Sequence, residues 1–181
     1  MSARKKAKQV VVPSRLVVVD ANIVRGASST DGGPPVGSHC RKVLQRILSI
    51  CHRAVVSPAL AREYDDHASN FGQRWRAMMM QRSKIIATPA RESGRSRGWM
   101  QTSGYTQRER AAAEKDLHLV LAAWEKQDDG AVVLSSDDAA RALFVRIADL
   151  AGMGWARMTD QDIDDWLEQG ADPSPVRLGR G

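Results

Sequence analysis

Cysteine, aromatic residues and long hydrophobic runs are all scarce in this chain of 181 residues. It contains two cysteines, and aromatic residues make up 5% of the sequence. Two cysteines are too few for a disulfide scaffold, and no apolar run approaches the roughly 20 residues that a membrane-spanning helix needs. Because Met1 to Lys8 is polar and basic with no apolar stretch behind it, we also expect no signal peptide. These absences favour a soluble, cytoplasmic protein with no membrane contact.

Acidic residues are missing from positions 1–15, which carry five Lys and Arg. Positions 74–110 hold nine Lys and Arg against Glu92 and Glu109, in a chain whose net charge is +6. Basic segments attract polyanions, and nucleic acid is the commonest polyanion in a cell. Solvated basic faces also promote solubility, so the charge indicates a nucleic-acid partner without establishing one.

Short hydrophobic runs alternate with helical patterns along the chain. Leu16–Val19 is a β-branched run that ends on Asp20, as in a strand buried on both faces of a parallel sheet. Further strands are predicted at 54–56, 84–88, 131–134 and 155–158. Helices are predicted at 39–53, 58–82, 106–127, 138–150 and 159–168. This alternation predicts an α/β fold, a three-layer α/β/α sandwich with a central, mainly parallel sheet.

The same patterns predict one domain over residues 16–168, with flexible tails at 1–15 and 169–181. Residues 25–38 are rich in Gly and Pro and are interpreted as a loop. Residues 89–105 are rich in Gly, Ser and Arg and are interpreted as a surface insertion.

Two carboxylates follow predicted strands, where functional residues of open parallel sheets gather. Asp20 ends the first strand and Asp137 stands just after the fourth, while Glu63 and Asp116 lie in helical stretches that can turn an acid toward the same edge. Crowded carboxylates repel and raise one another's pKa unless a divalent cation neutralises them. Oxygen ligands select a hard ion, so Mg²⁺ or Mn²⁺ is the expected cofactor.

Each acid taken singly also fits a purely structural role. Asp20 can accept turn amides, Asp137 can cap the helix that begins at Asp138, and Glu63 and Asp116 can face solvent. His118 is two residues from Asp116 and therefore on a different helical face, which favours a structural role for its imidazole.

Four stretches of the chain resemble the motifs of PIN-domain nucleases, which include VapC-type toxins. They are LVVVDANIV at 16–24, PALARE at 58–63, EKDLH at 114–118 and VLSSDD at 133–138. The resemblance covers roughly residues 16–168, with four acids in the family's order and each in the expected strand or helix. The basic N-terminal tail, the long Gly/Pro loop and the Arg-rich segment 91–97 depart from VapC-type toxins, which are generally shorter.

The resemblance implies a divalent-metal-dependent endoribonuclease that hydrolyses single-stranded RNA, with DNA as a further substrate to test. The catalytic carboxylates and metal ligands it implies are Asp20, Glu63, Asp116 and Asp137. The polar residues it implies around them, to orient ligands or water, are Asn22, Ser135 and Asp138. A protein antitoxin and a homodimer are the partners that such a family leads us to expect.

The Arg-rich segment supplies candidate contacts to nucleic acid. Arg91, Arg95 and Arg97 are predicted to hold the phosphate backbone. Trp99 and Tyr105 are predicted to stack on unpaired bases, as in proteins that bind single strands. Ordinary exposed loop residues are the alternative for all five.

Other function classes remain open at this stage. A non-catalytic PIN-like module for nucleic-acid binding or protein interaction would keep the fold, although it would not need all four acids. A phospho-acceptor receiver domain would need a further acid pair near the first strand and a late Lys, and neither is evident. A magnesium-dependent phosphatase fits the acids, but the basic segments favour a polymeric substrate.

Overall fold

The structure, a computed structural model, describes residues 13–28, 36–158 and 163–179. Within those ranges the chain forms five strands and eight α-helices. The strands are β1 (Leu16–Val19), β2 (Arg53–Val56), β3 (Ile85–Ala87), β4 (Val132–Ser135) and β5 (Gly154–Arg157). The helices are α1 (Ala21–Gly26), α2 (Val36–Ser49), α3 (Pro58–His67), α4 (Asn70–Gln81), α5 (Gly94–Thr102), α6 (Gln107–Trp124), α7 (Asp138–Phe144) and α8 (Ile163–Glu168).

The five strands form one parallel sheet in the order β3-β2-β1-β4-β5. The central strand β1 pairs with β2 through Val17 and Ala54, and with β4 through Val17 and Val132. Val17, Val18 and Val19 are fully buried because helices cover both faces of the sheet. Helix α6 packs on β1, β2 and β4, and α2 packs on β2. The predicted α/β class with a central parallel sheet is confirmed.

The loop predicted at 25–38 is wrong at both of its ends. Residues 21–26 form α1, for which Asp20 is the N-cap, and α2 already begins at Val36. Helix α1 has six residues, too few for its periodicity to be recognised, whereas α2 is the helix predicted at 39–53 and begins three residues earlier. Residues 29–35 lie outside the described part of the chain.

The sequence predicts one helix from Pro58 toward Arg82, with Ser57 as its cap and Gly72 as a candidate break. Ser57 does cap α3 by accepting the amide of Leu60. The break, however, lies at Ala68 and Ser69, where the Ser69 hydroxyl accepts the amide of Gly72 and starts α4. Gly72 instead lies inside α4, against α1: a Cβ on Gly72 would stand 2.5 Å from the Val24 carbonyl oxygen.

The segment predicted as a surface insertion is in large part an ordered helix. Ser93 and Ser96 form a capping box that begins α5. The Trp99 ring packs edge-to-face on Trp124 of α6, with the two centroids 5.3 Å apart. Segment 89–105 is therefore partly built into the core.

The tail predicted at 169–181 is likewise packed over most of its length. Residues 169–179 are described, and Arg177 forms an antiparallel bridge with Gly154 of β5. The Leu178 amide donates to the Met153 carbonyl at 2.7 Å, and the Leu178 side chain is fully buried. The predicted basic tail at 1–15 falls mostly outside the described residues, since positions 1–12 are not among them.

None of the helices in the described ranges is both long enough and apolar enough to cross a membrane.

Candidate metal and nucleic-acid site

Two of the predicted acids lie side by side at the carboxyl end of the sheet. Asp20 follows β1 directly, and Ser135 is the last residue of the neighbouring strand β4. The Ser135 hydroxyl donates to Asp20 Oδ2 at 2.5 Å and accepts the backbone N–H of Asp137 at 3.0 Å. One hydroxyl therefore joins the Asp20 carboxylate to the backbone of Asp137, in the place where the sequence predicts an orienting residue.

Both acids also cap helices. Asp20 Oδ1 accepts the amide of Asn22 at the start of α1, and Asp137 Oδ1 accepts the amide of Ala140 at the start of α7. The structural roles considered for these two residues are thus real, and they hold each carboxylate in a defined orientation. Burial raises the pKa of Asp20, while the hydrogen bonds from Ser135 and Asn22 lower it.

Glu63 reaches the same edge through its neighbour in the chain. The hydroxyl of Tyr64 donates to the carbonyl of Val19, the residue that precedes Asp20. This buried contact fixes α3, the helix that carries Glu63, to the end of β1. The sequence does not single out Tyr64, because a lone Tyr in an amphipathic helix is typical of a core residue.

Asp116 on α6 completes the group. Burial raises its pKa to about 7, with further contributions from the negative charges of Asp20, Asp137 and Glu63. Helix α6 also packs on β1, β4 and α3, the elements that carry or immediately precede the other three acids. The structure thus brings the four predicted acids from β1, α3, α6 and the β4–α7 turn into one neighbourhood.

His118, for which the sequence favours a structural role on a different helical face from Asp116, also belongs to this neighbourhood through a contact with Glu63. Its Nε2 lies 3.1 Å from Glu63 Oε2, and its Nδ1 lies 2.9 Å from the carbonyl oxygen of Lys115. Its charge also lowers the pKa of Asp20. The spacing within α6 could not reveal this contact, because Glu63 lies on another helix.

The donor set suits a hard divalent cation, but the side chains do not yet converge on one. Carboxylate and amide oxygens are the ligands that Mg²⁺ and Mn²⁺ prefer. Asn22 Oδ1 is buried and has no hydrogen-bond partner in the described part of the chain. It is therefore one amide oxygen that could bind such a cation. Among the described residues, no three His, Cys, Asp or Glu side chains are arranged to hold a metal ion. Side chains would therefore have to move to enclose one.

Asp138 is directed elsewhere. It is exposed on α7, and its described ion pair is with Arg157 of β5, at 3.8 Å. No hydrogen bond or ion pair within the described ranges joins it to Asp20, Glu63, Asp116 or Asp137, so the structure does not group it with them.

The predicted nucleic-acid contacts divide into two groups. Arg91 and Arg97 are exposed, whereas Arg95 is paired with Asp149 at 3.0 Å and lies over the ring of Trp124. Trp99 and Tyr105 are only 4% and 8% exposed, and each donates its polar hydrogen to another residue, Asp149 and Leu143 respectively. Neither ring is available to stack on a base, so that part of the prediction is wrong.

Of the four predicted acids, Glu63 lines an open cleft of about 670 Å³, together with His118, Arg62, Arg91 and Lys115. Comparisons of the chain with family models, with curated proteins and with solved structures found no match.

Proposed function

We propose that this chain is a divalent-metal-dependent endoribonuclease of the PIN-domain type that cleaves single-stranded RNA. The observation that carries the proposal is the placement of Asp20 and Asp137 at the ends of the paired strands β1 and β4, where the Ser135 hydroxyl bonds to the Asp20 carboxylate and to the Asp137 amide. Four carboxylates from separate elements gather at the carboxyl edge of a parallel sheet, where such folds place their sites. Burial and the negative charges of Asp20, Asp137 and Glu63 raise the pKa of Asp116 to about 7, and a cation bound among these carboxylates would lower it again.

Each acid has a definite part in this proposal. Asp20, Asp116 and Asp137 would hold Mg²⁺ or Mn²⁺, and Glu63 would bind the ion or orient the attacking water. When bound, such an ion supplies hydroxide near neutral pH and positive charge for the developing oxyanion of phosphodiester hydrolysis. Ser135 and Asn22 keep Asp20 in its orientation through the hydroxyl and the backbone amide.

His118 extends this arrangement beyond the residues expected from the sequence. With Nδ1 next to the Lys115 carbonyl, Nδ1 carries a hydrogen, so Nε2 attracts the Glu63 carboxylate only when Nε2 is protonated as well. A cation or a hydrogen-bond donor at that place holds Glu63 in position, so His118 acts as a positioning residue in the proposal.

The resemblance to VapC-type toxins extends the proposal to partners. On that basis the chain would form a homodimer in the cytoplasm and would be neutralised by a protein antitoxin. Gel filtration with light scattering tests the dimer, and co-expression with neighbouring small open reading frames tests the antitoxin by rescue of growth.

The decisive experiment is cleavage of labelled single-stranded RNA and DNA with Mg²⁺ or Mn²⁺. We expect cutting that EDTA abolishes and that Asp20→Asn reduces by at least about 100-fold. Asp128→Asn is the matched control, because Asp128 is an exposed acid at the other end of β4. Equal cutting by the natural chain and Asp20→Asn would assign the activity to another site or to a contaminant.

A binding module without catalysis is the second candidate. Two observations favour it: Asp20 and Asp137 are both used as helix caps, and no three potential ligands within the described residues are arranged around a metal ion. Salt-sensitive RNA binding without cutting at any tested concentration of either metal would select this candidate.

A further inference from the structure

The cleft beside Glu63 lies next to a second, smaller groove along α6. The second groove has a volume of about 260 Å³ and is lined by Arg97 of α5 and Arg110 of α6. The two depressions share Glu92, Glu114 and Leu117 in their linings, so they adjoin each other along α6. We call the two together, from Glu63 and His118 to Arg97 and Arg110, the α6 groove.

One face of α6 forms the floor of the α6 groove. Arg110, Glu114, Leu117 and Leu121 follow one another at intervals of three or four residues, which places them on the same side of a helix. Arg110 is eight residues before His118, which corresponds to about 12 Å along the helix axis. The groove therefore leads away from the acids over a distance that suits a few nucleotides of an extended strand.

Basic side chains in the α6 groove are free of ion pairs, unlike their neighbours. Arg62, Arg91, Arg97, Arg110 and Lys115 line it, and none has an ion-pair partner among the described residues. Just outside the groove, Arg95 pairs with Asp149 and Arg146 pairs with Glu109. The guanidinium and ammonium groups of the groove are thus open to an external anion.

Acidic side chains also line the groove and limit where an anion fits. Asp66 and Glu92 stand beside Arg62 and Arg91, and Glu114 lies between Arg110 and His118 on α6. A uniformly negative surface would be repelled at these points. Separate phosphates spaced along a flexible single strand can instead meet the basic groups and avoid the acids.

Aromatic rings are absent from the described lining of the α6 groove, apart from the His118 imidazole. Stacking of successive bases, the usual source of base contacts in single-strand binding, is therefore unavailable there. Affinity in such a groove comes from phosphates, with little dependence on base sequence and a strong dependence on salt.

We infer that the α6 groove binds the sugar–phosphate backbone of the single-stranded RNA on one side of the cleavage position, through Arg62, Arg91, Lys115, Arg97 and Arg110. This inference rests on the proposed function for its direction toward the acids, but binding in the groove does not require cleavage. Compared with the nucleic-acid contacts predicted from the sequence, it adds Arg62, Arg110 and Lys115 as phosphate contacts, and it contains no base stacking.

Fluorescence anisotropy of a labelled, mixed-sequence RNA oligonucleotide in EDTA tests the inference without cutting. The full chain is compared with Arg97→Gln/Arg110→Gln over a range of salt concentrations. We expect the slope of log K against log salt to fall in magnitude by about 0.7 for each lost contact, or about 1.4 for the double variant. Arg97→Lys/Arg110→Lys keeps both charges, so its slope should match that of the natural chain.

Arg108→Gln is the matched control. Arg108 is exposed on α6 two residues from Arg110, which places the two side chains on opposite sides of the helix. An unchanged slope in Arg97→Gln/Arg110→Gln, or a fall of about 0.7 in Arg108→Gln, would overturn the inference that the α6 groove binds RNA. A slope that changes as expected for RNA and single-stranded DNA alike supports backbone recognition, whereas strong preference for one base sequence contradicts it.

Failure of the groove and failure of the proposed nuclease are distinguishable. If the groove variants bind normally while the natural chain cuts RNA in an Asp20-dependent manner, the groove is wrong and the nuclease stands. If the groove variants lose binding and nothing is cut, the groove stands and the chain is a binding module.

Discussion

The Ser135 hydroxyl donates a hydrogen bond of 2.5 Å to the Asp20 carboxylate, across the two central strands of the sheet. Both side chains are buried, with 1% and 7% of their surfaces exposed. Loss of the hydroxyl would leave one buried carboxylate oxygen without that donor, which costs more than the loss of an exposed hydrogen bond.

Ser135→Ala should therefore lower the free energy of unfolding by about 1–3 kcal/mol. Ser136→Ala is its control, because Ser136 is the next residue and is exposed. Urea unfolding of both variants at neutral pH measures the difference. Equal stability of the two variants would show that the Ser135–Asp20 contact contributes nothing.

Asp116→Asn should stabilise the metal-free protein above neutral pH. The pKa of Asp116 is about 7 in the folded chain against 3.8 as the ordinary value, so the folded state binds the extra proton between these pH values. The contribution of Asp116 to the free energy of unfolding is fully present at pH values below its ordinary pKa of 3.8, and it is lost as the pH rises toward 7. The gain from Asp116→Asn is thus large at about pH 8 and small near pH 4.

Metal addition gives the same variant a second test. If Asp116 is a ligand, Mg²⁺ or Mn²⁺ should raise the melting temperature of the natural chain more than that of Asp116→Asn. Asp128→Asn should respond like the natural chain, since Asp128 is an exposed acid away from the site. Identical shifts in all three proteins would remove Asp116 from the metal site.

His52 should make the fold sensitive to mild acid. Its imidazole is fully buried, accepts the Arg15 amide through Nδ1 and lies 2.8 Å from the Leu167 carbonyl through Nε2. Burial lowers its pKa, against the hydrogen bond to Leu167, and the charges of Lys84 and Arg15 lower it further. The unfolded chain then binds the proton first, so stability is present above about pH 6.5 and is lost as the pH falls below it.

Urea midpoints at about pH 7.5 and about pH 5.5 measure this effect. His52→Gln keeps a donor for Leu167 but does not titrate, so its midpoint should fall less than that of the natural chain over the same interval. The His52 explanation fails if both proteins lose the same stability.

Gly72→Ala should destabilise the fold, whereas Gly98→Ala should not. A Cβ at Gly72 meets the Val24 carbonyl oxygen at 2.5 Å, so α1 and α4 would have to separate. Gly98 lies inside α5 with no atom within 4 Å of the corresponding position. We expect a loss of about 1–3 kcal/mol in the first variant and a gain of up to about 1 kcal/mol in the second, measured by urea unfolding.

Much of the sheet could be predicted from local pattern. Leu16–Val19 and Val132–Ser135 are continuous apolar runs that end in polar residues, and both became neighbouring strands with acids at the same edge. The positions of Asp20 and Asp137 follow directly, because parallel strands align their carboxyl ends.

Contacts between distant elements could not be predicted in this way. Trp99 stands among Gly, Ser and Arg residues that indicate a surface loop. Its ring nevertheless packs on Trp124, and its N–H donates to Asp149. The pairing of His118 with Glu63 joins two helices whose relative rotation no single-helix pattern specifies. Packing of this kind depends on tertiary geometry, which overrides local composition.

The bridge between Arg177 and Gly154 has a consequence for association between molecules. β5 is the outermost strand on its side of the sheet, and the segment through Leu178 occupies part of its free edge. The opposite outer strand, β3, has three residues and offers little edge to a neighbour. Removal of residues 173–179 would expose the backbone amides and carbonyls of β5 and the apolar surface that Leu178 covers. The exposed strand edge would then be a template for strand-to-strand aggregation.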